Sequence, residues 1–203
     1  MAFGQDMPLS IGGSAGYVFE SQYGKASNTF QTQEVTGTSS SFSVGAFFDL
    51  AYAELGLGIE SQIGKTAFKI KSTYASNPPP NTDTSQDTDF QDLNLLIKAL
   101  GKYPFHFDKI TVFPLAGFEY SLNVSEKDKD KLSDDQKSDL NDLFLDLGAG
   151  IDYPLTEQLY IRGEGIFGLN LTAKPTAALS GGASWDSNFG YRINAILSIG
   201  YKL

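Results

Sequence analysis

Alternation is the feature that most limits what this chain can become. Apolar residues return at every second position, and eight separate runs carry this period-two pattern. It is the signature of strands that press one face against an apolar environment. The first run, residues 9–20, sets Leu9, Ile11, Ala15, Tyr17 and Phe19 against Ser10, Gly12, Ser14, Gly16, Val18 and Glu20. In the third, Leu55, Leu57, Ile59 and Ile63 face away from Tyr52, Glu54, Gly56, Gly58, Glu60 and Gln62. The last, running to the final residue, sets Ile193, Leu197, Ile199, Tyr201 and Leu203 against Arg192, Asn194, Ser198 and Lys202.

The breaks between runs alternate in length. Long polar connections are expected over residues 21–40, 65–89, 122–142 and 172–188, and tight ones over 50–51, 104–109 and 154–158. Strands running up and down then place four long loops at one end of a barrel and three short turns at the other. Residues 77–81, Asn-Pro-Pro-Pro-Asn, and the Thr/Asp/Ser/Gln tract behind them cannot bury a core and are expected to be mobile. Ser133 and Gln136 have capping-box spacing, so the charged run around them reads either as a short helix or as a solvated charge run.

The chain has 203 residues, which suits one domain over 1–203, with 1–8 as an N-terminal periplasmic segment. No window approaches the roughly 20 apolar residues of a spanning helix. There is no cysteine, which excludes disulfides, thiolate metal sites and a Cys nucleophile. A net charge of −9 is the wrong sign for a protein that lives on phosphate backbones, so no nucleic-acid partner is expected. Residues 1–6 read as a mature end with a starting Met added, and no anchoring domain is expected after the last strand.

The polar face decides which side meets what. It is rich in glycine, with Gly12, Gly16, Gly45, Gly56, Gly58, Gly117, Gly148, Gly150 and Gly168, where a water-facing exterior would carry Lys, Glu and Thr. Glycine suits the crowded inside of a small bent barrel. Eight strands leave an interior only just wide enough for side chains, too narrow for large aliphatics from every strand. The bulky face therefore points outward, to lipid. Aromatics on it gather near strand ends: Tyr17, Phe19, Tyr103, Phe118, Tyr120, Tyr153, Tyr191 and Tyr201 are expected to form two interfacial girdles. The expected fold is all-β, an eight-stranded antiparallel up-and-down transmembrane barrel.

The stretch Leu147-Gly148-Ala149-Gly150-Ile151-Asp152-Tyr153-Pro154-Leu155-Thr156-Glu157-Gln158-Leu159-Tyr160-Ile161-Arg162-Gly163-Glu164 resembles a strand, tight turn and strand of the small outer-membrane β-barrels of the OmpA-like, OmpX-like and opacity-protein superfamily. The terminal strand is similar to that family's assembly signal, with Tyr201 two places before the end, although it closes on Leu203 rather than Phe. The resemblance implies a bacterial outer-membrane location, contact with outer-membrane lipid and handling by the barrel-assembly machinery during biogenesis. It also implies host or envelope macromolecules as partners of the outer loops. A monomer is expected.

The inward set mixes acids Asp49, Glu54, Glu60, Glu119, Asp146, Asp152 and Glu164 with bases Lys98, Lys102, Arg162, Arg192 and Lys202. In so narrow a lumen these charges must pair or be hydrated, because an isolated buried charge costs several kcal/mol. A salt-bridge plug is therefore expected, with Arg162, Glu164 and Arg192 at its centre, Glu54 and Glu119 as partners, and Glu60, Lys98 and Asp146 in the same network. Interior filling is preferred over a gate. The single histidine, His106, lies in a short turn at the wrong end for lipid chemistry, and no phosphate loop or metal-ligand spacing stands out. Neither catalysis nor a cofactor or metal is expected. Two roles remain: a structural or adhesion-like surface protein working through its long loops, or an OmpW-like narrow channel for small hydrophobic molecules, for which Phe47, Phe113, Leu115 and Phe144 would supply an apolar funnel. Among loop residues Trp185 is the candidate contact, against packing on the barrel rim.

Overall fold

A computed structural model describes residues 9–27, 31–50, 52–63, 66–74, 82–88, 93–125, 141–173 and 184–203. These form eleven strands: β1 (Ser10–Ser27), β2 (Gln31–Leu50), β3 (Ala53–Gln62), β4 (Thr66–Tyr74), β5 (Thr82–Thr88), β6 (Leu93–Lys102), β7 (Phe105–Phe107), β8 (Ile110–Ser125), β9 (Asp142–Pro154), β10 (Leu159–Asn170) and β11 (Ser184–Lys202). Eight of them close into a ring in the order β1-β2-β3-β6-β8-β9-β10-β11, with β11 returning to β1, and every pairing is antiparallel. The backbone amide of Leu203 donates to the carbonyl of Leu9 at 2.8 Å, which ties the two ends of the wall together.

Cross-strand partners followed once around the ring, from Ser10 through Asp49, Glu54, Leu100, Gly117, Asp146, Gly168 and Arg192, rejoin β1 at Glu20, ten residues further along. Such a stagger requires strands tilted by about 40° to the barrel axis. Every residue on this spiral points inward, so one line of pairing carries Asp49, Glu54, Asp146 and Arg192 past one another up the lumen.

The apolar set faces out, as the alternation predicts. Val44, Leu57, Ile199 and Leu197 are 57–65% exposed. The aromatics fall into two belts. At one end Tyr17 meets Phe42 edge-on at 5.9 Å and Phe167 stacks on Tyr191 at 5.8 Å; Tyr120 and Phe118 are exposed there, and Phe19 is half-buried. At the other, Tyr103 stacks on Tyr52 at 6.0 Å and meets Phe105 at 5.2 Å, with Tyr153 and Tyr201 exposed nearby. Tyr52, read as inward, is 60% exposed: it sits in the turn before β3, where the alternation has not yet begun.

Several stretches read as loops are strands. β1 and β2 remain paired to Ser27↔Thr32, so most of residues 21–40 is an extended hairpin. Residues 65–89 contain β4, which continues β3 along β2, and β5, which pairs with β4. β8 runs on to Ser125, and β11 begins at Ser184, so Trp185 lies in a strand opposite Ala26. Past the lipid no apolar partner imposes period two, so the polar residues of Ser21–Ser27 and β5 extend the ladder without displaying that signal; β4 does alternate, Phe68 and Ile70 against Lys69 and Lys71, but only over a short run. A sheet in the order β11-β1-β2-β4-β5 thus projects beyond the outer aromatic belt, burying Ala26, Val35 and Ser72 on its inner face. The 77–81 stretch, the Ser133–Gln136 spacing and residues 1–8 lie outside the described residues.

At some inner-face positions glycine is required by the side chain opposite, at others by the close backbone of the next strand. A Cβ on Gly168 would stand 2.6 Å from Asp146 Oδ1 and 3.0 Å from Arg192 Cγ, and one on Gly150 would overlap the ring of Phe113.

Candidate functional site

The lumen is organised around two arginines. Arg162, on β10, is 1% exposed and lies toward the short-turn end. Its Nε and Nη2 donate to the two oxygens of Asp152 at 2.7 and 2.9 Å, Nη2 also donates to Asp49 Oδ2 at 2.7 Å, and Nη1 donates to Glu54 Oε2 at 2.6 Å. The guanidinium carbon lies 4.8 Å from the ring centre of Phe47 and 4.9 Å from that of Phe113, so the planar cation is stacked on aromatic rings while carboxylates hold its edges. Lys102 adds a second cation to Asp49 at 2.6 Å. The hydroxyls of Ser10 and Tyr160 lie 2.8 Å from each other and 3.0 and 3.2 Å from Asp49 Oδ2, a triangle in which their two protons fill two of the three contacts at a time.

The second centre is Arg192, on β11 and nearer the projecting sheet. It is 1% exposed, its Nη2 is paired with Glu119, and its guanidinium carbon lies 3.7 Å from the ring centre of Phe144. Glu60 approaches Nη1 at 4.0 Å. Between the two centres a cavity of about 30 Å³ is bordered by Ser14, Lys98, Glu119, Glu164, Asn194 and Ser198. That is room for about one water molecule. At the short-turn end a wider vestibule of about 270 Å³ is bordered by Asp49, Lys102, His106, Thr111, Asp152 and Tyr160.

The residues singled out in the sequence all lie on the inner face, but they gather around two centres rather than one. Glu54 belongs to Arg162 and Glu119 to Arg192. Glu164 stands 3.9 Å from Arg162 Nη1, and among the described residues one of its oxygens and both of Asp146 have no hydrogen-bond partner. Lys98 faces Glu119 in register and borders the central cavity. Asp49, Asp152 and Lys102, read as inward charges but not assigned to the network, complete the Arg162 cluster together with Tyr160. Their signal was register: Asp152 faces Arg162 across one tight turn, and Asp49 faces Glu54 across another. Two carboxylates directly opposite are unfavourable unless a cation sits between them, and Arg162 Nη1 bridges them, with Asp49 Oδ1 at 3.2 Å. His106 is exposed in the β7–β8 hairpin, with Nδ1 2.9 Å from Thr111 Oγ1.

The family model of the outer membrane protein beta-barrel domain matches residues 9–165, more than half of the chain. The chain belongs to this family. Its location is accordingly the bacterial outer membrane, where the exposed aliphatics meet lipid. None of the curated proteins matches the chain. Among solved structures, this outer-membrane barrel is similar to OprG from Pseudomonas aeruginosa, at 12% identity over 96% of this chain and 95% of that one, with a TM-score of 0.42. It is similar to Neisserial surface protein A at 11% identity, over 93% and 97% of the two chains and a TM-score of 0.41. With Ail, the attachment invasion locus protein of Yersinia pestis, it shares 9% identity over 97% and 100%, at a TM-score of 0.38.

Proposed function

We propose that this barrel is a surface-interaction protein that meets host or envelope macromolecules through the part of its wall standing outside the membrane, and that its lumen is sealed by the two arginine clusters. The projecting sheet carries the reading. β1 continues from Tyr17 in the outer belt to Ser27, about 30 Å of further strand. Ordering those residues costs backbone entropy that no lipid contact offsets, and a rigid polar platform is what the expenditure yields.

Sealing is supported by the fate of the inward aromatics. A route for small hydrophobic molecules needs an apolar funnel, but Phe47 and Phe113 are stacked on Arg162 and Phe144 on Arg192. Leu115 packs with Leu100, Phe113 and Ile166 instead of lining an opening. The charged groups are filling, each arginine held by carboxylates that would otherwise be buried alone.

Two measurements test the pair of claims. Reconstituted in a planar bilayer, the purified chain is expected to show no unitary conductance and no uptake of a hydrophobic solute; either one would overturn sealing. Deletion of the outer segments one at a time, beginning with residues 66–88, is expected to reduce binding to cells or matrix. Binding unchanged by every deletion would overturn the surface role.

A further inference from the structure

The inner face keeps one set of polar atoms that the two arginine clusters do not use. Among the described residues Glu164 Oε1, Asn194 Oδ1 and Ser198 Oγ have no hydrogen-bond partner, although these residues are only 7%, 3% and 2% exposed. Register places them together. Glu164 on β10 faces Ile196 on β11, and Asn194 and Ser198 lie two positions to either side of Ile196, on the same inner face. Ser14 on β1 stands directly opposite Ser198. These residues all border the cavity of about 30 Å³ between the two clusters.

A buried acceptor left without a donor costs about 1–3 kcal/mol, and more when it is charged. Neighbouring cations do not relieve Glu164. Arg162 Nη1 stands 3.9 Å from Oε1, beyond hydrogen bonding, and its hydrogens already go to Glu54 at 2.6 Å and Asp49 at 3.2 Å. Lys98 borders the same cavity, yet Oε1 has no hydrogen-bond partner. A water would donate two hydrogens, but it brings no charge into a lumen whose inward acids outnumber its inward bases. The Glu164 carboxylate would then stay buried with no counter-charge in contact.

The donor set also says what kind of cation fits. Among the described residues no group of three His, Asp or Glu side chains is placed to hold a metal ion, which argues against a multivalent ion held by several carboxylates. One free carboxylate, one amide oxygen and two hydroxyls are hard donors of low total charge, and the water-sized space admits only a small ion stripped of its hydration shell.

We propose that the central cavity binds a single sodium-sized cation through Glu164, Asn194 and Ser198, with Ser14 as a fourth oxygen. The ion completes the filling between the two arginine clusters. This goes beyond the sealed-lumen reading and is tested apart from it, since the readout is cation-dependent stability rather than conductance.

The test uses the full chain, refolded into zwitterionic micelles at one pH and one total ionic strength, with Na⁺ replaced stepwise by N-methylglucamine, which is too large for the cavity. The thermal midpoint of unfolding, in a fixed concentration of urea, is followed by circular dichroism. Once Na⁺ exceeds its Kd the midpoint is expected to rise by about 3–5 °C for each tenfold increase. E164Q keeps the side-chain shape and removes the charge, and S198A removes one hydroxyl; each should flatten the dependence. D146N is the control: Asp146 also carries unpartnered oxygens but does not border the cavity, so the dependence should persist. K98Q takes away a competing ammonium and should shift the dependence to lower Na⁺. A wild-type midpoint indifferent to the exchange would overturn the proposal and leave a water in the cavity. A dependence that survives both E164Q and S198A, or that is lost only in D146N, would overturn it too, because the ion then sits elsewhere. Should E164Q fail to fold, S198A and the wild-type titration decide between these outcomes.

Discussion

Arg162 shows how much can depend on one side chain in so narrow a lumen. Asp49, Glu54 and Asp152 all converge on it, so Arg162→Ala leaves two buried carboxylates and the half-buried Asp152 short of their main cation. The expected loss is about 3–5 kcal/mol of stability, measured by denaturant unfolding in micelles. Arg162→Lys keeps the charge but cannot bridge Asp49, Glu54 and Asp152 at once from a single nitrogen, and is expected to lose less than alanine but clearly more than nothing. Gly150→Ala drives a methyl group into the Phe113 ring that stacks on Arg162, and should cost about 1–3 kcal/mol by the same measurement. At this scale the inward position of each charge followed from parity alone. Which acid met which base did not, because that depends on register across each turn and on how far a guanidinium reaches over the lumen.

Elements behave differently inside and outside the membrane, and that difference set what could be read. Between the belts lipid enforces strict alternation, and the strands there were recognisable from it. Leu57, 57% exposed toward lipid, should tolerate arginine poorly, with Leu57→Arg costing about 2–4 kcal/mol in folding measurements into lipid vesicles. Above the outer belt, Ser21 to Ser27 and β5 are strands with little apolar alternation, so the sequence presented them as loops; β4 does alternate, with Phe68 and Ile70 on the inner face opposite Gly37 and Val35, but over too short a run to stand out. What anchors them is the inner side of the sheet, where Val35 is 4% exposed. Val35→Asp buries a charge there and is expected to speed hydrogen exchange of β4 and β5 about tenfold or more while the wall strands keep their protection.

For the molecule as a whole, eight runs, unequal breaks and a glycine-rich inner face were sufficient to infer a closed barrel, because few other folds satisfy all three. The stagger was not legible, since it depends on the sum of offsets over every pairing. Once closed, that stagger restricts how such a wall can change length. The ten-residue climb around the ring is even, which is the only parity that keeps inward residues beside inward residues across the seam. Removing a single residue from the middle of any wall strand would turn the remainder inside out, setting leucines against Arg162 or Arg192 and glycines against hydrocarbon. Insertions and deletions within the wall should therefore be accepted in twos. A deletion scan along β10 scored for folding into lipid vesicles should accordingly give losses that depend on whether the number removed is odd.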